Sequence, residues 1–266
     1  MFATKRVCTM LHSLPNPLQR AKVVKRPSAS IRSPYVADIQ LDDGSHALCH
    51  TPGLGCSGLV EKDSVIYVNA SKPGSKTDFT AQIAECRDAQ GPVFIGVHSL
   101  ISQIAAKGLL SRISETATWS QEVRIDESTR IDYVGTMPNN KKLYVEIKTA
   151  IVSHEMTLPR DKRRAIFPDG YRKKVTDTIS PRAVKHAECL TDLMSKADTE
   201  ACVLLFIVSR NDCETLLINP KDPIYCDALK KAKDAGVQLR AMSLSYSLDG
   251  RIVFDKECVV ELGPLV

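Results

Sequence analysis

Short runs of alternating apolar and polar residues dominate the chain up to residue 98. Over Tyr35–Leu41, Tyr35, Ala37, Ile39 and Leu41 alternate with Val36, Asp38 and Gln40, and Asp42-Asp43-Gly44 then supplies hairpin turn chemistry. Ser45–His50 reads as the returning strand. Val65–Asn69, Phe79–Cys86 and Val93–Val97 follow, punctuated by Pro73-Gly74 and Gly91-Pro92. Five short strands in this span predict a small β-barrel, of which the OB-like form is the best known. At Ser99 the period changes to that of a helix, with Leu100, Ile101, Ile104, Leu109 and Leu110 on one face and Ser99 as the expected N-cap.

Beyond residue 110 the pattern is that of an α/β domain. Strands are expected over Arg130–Met137 and Leu143–Ala150, joined by Pro138-Asn139-Asn140-Lys141. A helix is expected from Pro181 to Lys196, where proline suits the first turn. Ala201–Ser209 is continuously apolar, as in a strand covered on both faces. A helix over Pro223–Ala235 stops at Gly236, and Val237–Leu244 forms another strand. The expected organisation is a leader over residues 1–24, an OB-like barrel over 25–98, and an α/β (α+β) domain over 99–266 with a mixed sheet of four or five strands.

Composition narrows the function classes. The chain has 266 residues, 43% hydrophobic and 25% charged, and no apolar run long enough to span a membrane as a helix. Its nine cysteines form no C-x-x-C pair, which fits a reducing compartment better than a disulfide framework or a structural zinc site. The formal charge of +5 arises from 36 Lys and Arg against 31 Asp and Glu. Residues 1–37 hold seven basic residues and no acid, so the remainder carries −2. This acid-poor start fits a mitochondrial or other organellar transit peptide, and equally a disordered tail on a protein of the cytoplasm or nucleoid. The oligomeric state is left open.

Candidate chemistry lies in the hairpin at 130–150. Asp132 is flanked by Ile131 and Tyr133, so its carboxylate points away from two large apolar side chains. Glu146 and Lys148 flank Ile147, and the period of two puts them on one strand face. If the two strands pair, Asp132, Glu146 and Lys148 converge. Two carboxylates are suited to Mg²⁺ or Mn²⁺, and an ammonium can orient the water that attacks a phosphodiester. Glu122, on the preceding segment, is a third acid within reach. E-x-K on a strand is equally the pattern of a solvated face with a surface ion pair. Residues 159–186 add nine basic residues against three acids, a local +6 that reads as a phosphate-binding track or as a solvated loop.

These residues resemble the sugar fermentation stimulation (SfsA) family. The resemblance rests on Ser128-Thr129-Arg130-Ile131-Asp132-Tyr133, Tyr144-Val145-Glu146-Ile147-Lys148-Thr149 and Phe167-Pro168-Asp169. Arg182-Ala183-Val184-Lys185-His186, Asp222-Pro223 and Ala235-Gly236-Val237 extend it over about Lys25–Leu262. It implies an OB-like domain followed by a domain like the PD-(D/E)xK nucleases, with non-specific DNA binding and a bacterial link to sugar metabolism. It further implies catalytic roles for Asp132, Glu146 and Lys148, and metal ligation by Asp132, Glu146 and Glu122. Asp169, Arg182, Lys185 and His186 match motif residues of the same cleft. Arg182, Lys185 and His186, with Arg130 and with Arg172, Lys173 and Lys174 of the basic run, are the expected nucleic-acid contacts, and Asp169 a further cleft residue. DNA is implied before RNA as the partner. Two departures stand out. The barrel motif is altered to His50-Thr51-Pro52-Gly53-Leu54-Gly55, and the stretch between Asp169 and Arg182 is lengthened by residues that include Arg172-Lys173-Lys174.

Overall fold

In the first part of the chain, alternating residues fold into short strands because each can bury only one face. The computed structural model describes residues 10–15, 17–53, 56, 58–127, 129–172, 174 and 176–263. It divides into two units. The first comprises Met1–Leu109, Ser209–Asn211 and Ser243–Lys256, and the second Leu110–Val208, Asp212–Met242 and Glu257–Val266.

The first unit contains β1 (Met10–Ser13), β2 (Gln19–Lys25), β3 (Val36–Leu41), β4 (His46–His50), β5 (Val65–Ala70), β6 (Phe79–Asp88), β7 (Gly91–Gly96) and α1 (Ser99–Lys107). Strand β2 pairs with β3 and β5, β3 with β4, and β5 with β6. A parallel pairing of β4 with β6 closes the ring. Counted from β2, the ring order is first, second, third, fifth, fourth, which is OB-like closure. Val23, Ile39, Ile66, Ile83 and Ile95 are fully buried inside it.

Three departures from the pattern concern this unit. The stretch to residue 24 holds β1 and most of β2, so a leader cut there would remove a strand paired on both sides; residues 1–9 lie outside the described residues. Helix α1 falls in the first unit rather than opening the second. Its N-cap is His98, without a side-chain cap bond, rather than Ser99.

The second unit contains β8 (Thr118–Arg124), β9 (Arg130–Thr136), β10 (Lys142–Ala150), β11 (Arg164–Phe167), α2 (Pro181–Met194), β12 (Thr199–Val208), β13 (Thr215–Ile218) and α3 (Pro223–Asp234). Strands β14 (Gln238–Tyr246) and β15 (Arg251–Leu262) each have one end in this unit and the other in the first. The sheet is mixed and has nine strands, in the order β11-β13-β15-β14-β12-β10-β9-β8, with β1 on β15. That exceeds the four or five expected. The additional strands are short or rich in polar residues, so hydrophobic periodicity does not reveal them.

Helix α2 is specified locally. The Ser180 side chain accepts from the Ala183 N–H, Pro181 opens the first turn, and Ala183, Ala187, Leu190 and Leu193 form the buried stripe. Asp222 caps α3 likewise by accepting from the Tyr225 N–H, and Gly236 takes the left-handed conformation (φ +98°) after its last turn. Helix α2 packs against β12 and α3 against α2, and in their shared core Leu204 and Phe206 of β12 are fully buried. Truncating either of these two to alanine costs about 2–5 kcal/mol. Phe167 meets Phe206 and Tyr225 edge-on, at ring distances of 5.5 and 5.7 Å. No disulfide links the described cysteines, and no helix among the described residues is long and apolar enough to cross a membrane.

Candidate active site

Strands β9 and β10 pair antiparallel with Tyr133 opposite Val145, which sets Asp132 opposite Glu146. The Ile147 N–H donates to Oδ2 of Asp132 at 2.6 Å, tying the carboxylate to the neighbouring strand. On β10, Lys148 Nζ donates to Oε1 of Glu146 at 2.6 Å. The period-two expectation for these three residues is thus realised as one contiguous group on the sheet face that α2 covers.

Helix α2 adds a residue that strand periodicity does not bring here. His186, 5% exposed, contacts Oε1 of Glu146 through Nδ1. Its Nε2 accepts from Arg182 Nε at 3.4 Å. The ring thus sets Nδ1 toward Glu146 and Nε2 toward a guanidinium, which only donates. Lys148 Nζ also lies 3.2 Å from Nδ1. Oε1 of Glu146 is therefore saturated, while Oε2 is buried without a partner. A carboxylate only 2% exposed with one orphaned oxygen is a costly arrangement unless a cation completes it.

The electrostatics separate the two acids. Burial, then the charge of Glu146, push the Asp132 carboxyl up to about 6, against the pull of the Ile147 N–H and Lys148. Burial also works to raise Glu146, but the hydrogen bonds and charges of His186 and Lys148 together hold it below its ordinary range. Of the two, Asp132 is therefore the one that takes up a proton first as pH falls. Glu122 adds to the field on Asp132. It lies on β8 with φ +50°, a left-handed conformation that is costly for a non-glycine residue inside a strand.

Beside this group is a cavity of about 620 Å³. Glu122, Arg130, Arg182, Lys185 and His186 line it, as do Arg124, Asp126, Glu127 and Thr129, which sequence patterns did not single out. Arg124 reaches back over the turn after β8, donating to the carbonyls of Asp126 and Glu127 at 3.0 and 2.8 Å. The only sequence signal for this turn was its adjacency to the Ser128–Tyr133 element.

Other expected site residues lie elsewhere. Oδ1 of Asp169 lies 3.1 Å from His154 Nε2, and Asp169 is not among the cavity-lining residues. Arg172 donates to the Lys221 carbonyl at 2.5 Å, and Lys174 has its N–H on Oδ2 of Asp177 at 3.1 Å. Neither lines the cavity. Lys173 lies outside the described residues. The basic run at 159–186 does not form one track. Arg163 is buried against Asp212, and Arg164 is paired with Glu155. Of that run, Arg182 and Lys185 on α2 line the cavity, joined by Arg124 of β8 and Arg130 of β9.

Among the described residues no three His, Cys, Asp or Glu side chains converge on one point in metal-binding geometry. A cation at Asp132 and Glu146 would complete its shell with main-chain oxygen and water, as Mg²⁺ commonly does. The orphaned Oε2 and the all-oxygen donor pair fit a hard divalent ion.

A family profile described as "Sugar fermentation stimulation protein RE domain" matches residues 97–250. A sugar fermentation stimulation protein homolog of Halorhodospira halophila is 31% identical over 231 residues, covering 81% of this chain and 86% of its own. The homolog of Caulobacter vibrioides is 29% identical over 234 residues, covering 85% and 87%. The structure of Pyrococcus furiosus SfsA in complex with Ca²⁺ superposes with a TM-score of 0.74 at 21% identity, covering 95% of this chain and 99% of that one. Together with the order of the barrel strands and the β9–β10 pairing, the profile establishes that the chain belongs to the sugar fermentation stimulation protein family.

Proposed function

We propose that the second unit is a metal-dependent phosphodiesterase acting on nucleic acid, with DNA preferred to RNA. The observation that carries the reading is the buried, unpartnered Oε2 of Glu146 opposite Asp132, with the Lys148 ammonium 2.6 Å from the other Glu146 oxygen. Asp132 and Glu146 would hold Mg²⁺ or Mn²⁺, with Glu122 as a further ligand. Bound there, the ion would polarise a phosphate oxygen and acidify a water. The Ca²⁺ in the Pyrococcus furiosus complex supports the class of ion.

The chain's own residues supply the rest. Lys148 orients the attacking water or balances charge developing on the phosphate. His186 fixes Glu146 from α2, with Arg182 setting the ring through Nε2. Arg124, Arg130, Arg182 and Lys185 bind phosphate oxygens in the cavity. No Phe, Tyr or Trp is among the lining residues, and the His186 ring is only 5% exposed, which supports backbone rather than base readout there.

A second reading, a DNA-binding regulator without catalysis, is favoured by one observation, that no three-ligand cluster exists among the described residues. RNA binding or processing ranks third. The purified chain, incubated with labelled single- or double-stranded DNA or RNA and Mn²⁺, Mg²⁺ or EDTA, separates these. Cleavage with metal, lost in Asp132→Ala and Lys148→Ala, is the expected result. No cleavage with any metal, with salt-sensitive binding retained, establishes the regulator instead.

A further inference from the structure

Five of the seven tyrosines are buried, Tyr67, Tyr133, Tyr144, Tyr225 and Tyr246, and Tyr35 is 41% exposed. Tyr171 is 84% exposed, the most exposed large apolar side chain among the described residues. A ring this size buries 150–250 Å² when it finds a partner, so such exposure leaves much contact energy unused.

The loop around Tyr171 is held at its base. Arg172 Nη1 donates to the Lys221 carbonyl at 2.5 Å and, at 3.5 Å, to that of Asp177. Asp177 Oδ2 accepts from the Lys174 N–H at 3.1 Å. Asp222 Oδ2 then takes both the Thr178 hydroxyl and the Ile179 N–H at 2.8 Å. Asp222 also caps α3, so the loop's return, the approach to α2 and the start of α3 meet at one buried carboxylate. Gly170 (φ +151°) lets the chain reverse just before the ring.

The loop carries Arg172 and Lys174, and Arg172 holds it to Lys221. Lys174 and Lys221 are exposed, and the carboxylate of Asp177 is occupied by the main chain. The loop leads into Pro181 and Arg182, the first residues of α2 and part of the cavity lining. The cavity lining holds no Phe, Tyr or Trp, and its one ring, His186, is 5% exposed and turned to Glu146. We infer that Tyr171 is a base-stacking platform for single-stranded nucleic acid whose phosphates run from the cavity past Arg182 toward Lys174 and Lys221. The inference rests on the nucleic-acid reading of the cavity and adds to it a preference for unpaired strands. Aromatic stacking with adjacent cations is the usual means of holding single strands without sequence preference.

The test is binding of the full chain to fluorescein-labelled 20-mer oligo(dT) and to a 20-base-pair duplex, in EDTA so that nothing is cleaved. Tyr171→Ala is expected to weaken oligo(dT) binding about 5- to 100-fold and to leave duplex binding within about twofold. Tyr171→Phe keeps the ring and should retain parental affinity. In Tyr171→Trp the new indole emission should be quenched on adding oligo(dT). Since the ring is exposed, circular dichroism and Tm should match the parent. Equal oligo(dT) binding by Tyr171→Ala and the parent would overturn the platform and leave the phosphodiesterase reading standing. Loss of binding in Tyr171→Ala with no cleavage by the parent in Mn²⁺ would support the platform and remove the hydrolytic role. No binding by the parent to either probe would overturn both.

Discussion

At the level of single residues, the site is built around an acid kept in an unfavourable place. The Asp132 carboxyl is raised to about 6 by burial and by Glu146, from an ordinary value near 3.8. A carboxylate whose folded pKa lies above its unfolded one stabilises the fold when protonated. That contribution is complete below about 4 and is lost as pH rises through about 6. In the metal-free chain, Asp132→Asn keeps an oxygen for the Ile147 N–H and removes the charge. Its Tm in EDTA should exceed the parent's at pH 8, by up to about 2–3 kcal/mol in stability, and match it at pH 4. Equal Tm values at both pH values would mean that the Asp132 carboxylate is not strained. Asp132, Glu146 and Lys148 were legible in the sequence because period two decides which strand residues share a face. The His186–Glu146 contact was not, because it joins a helix to a strand 40 residues away and no local period encodes it.

At the level of elements, what was legible is what local rules specify. Both helices of the second unit follow from a proline in the first turn and a capping side chain, and β12 from its unbroken apolar run. Strand β8 is largely exposed along Thr118–Arg124, and β13 is only four residues long, so neither gives a hydrophobic signal. In β15 the apolar positions are interrupted by Asp255-Lys256-Glu257. Asp222 shows how elements are joined at a point that the sequence presents only as the Asp222-Pro223 pair. Asp222→Ala would leave buried N–H groups at Ile179 and Tyr225 without acceptors and loosen the approach to α2. A loss of about 2–4 kcal/mol is expected in urea unfolding, against about 1 kcal/mol if it acted as a cap alone.

At the level of the whole molecule, net charge was the least informative quantity. The surplus of the N-terminal stretch is partly built into β2, where Arg20 pairs with Asp42 and Lys22 with Asp63. The run at 159–186 loses Arg163 to Asp212, because a buried guanidinium needs its counter-charge. The cations that face the cavity come from positions 124, 130, 182 and 185, which no single stretch of sequence displays together. The family profile covers residues 97–250, the span that contains this cavity, and the barrel strands lie ahead of it.

The central claim is that Asp132 and the orphaned oxygen of Glu146 seat a divalent cation. Calorimetric titration of the full-length, metal-free chain with Mn²⁺ tests it most directly. The account predicts one binding event per chain, weakened at least tenfold in Glu146→Gln with far-ultraviolet circular dichroism unchanged. Mn²⁺ binding of equal affinity and stoichiometry in Glu146→Gln would contradict it, as would no binding by the parent.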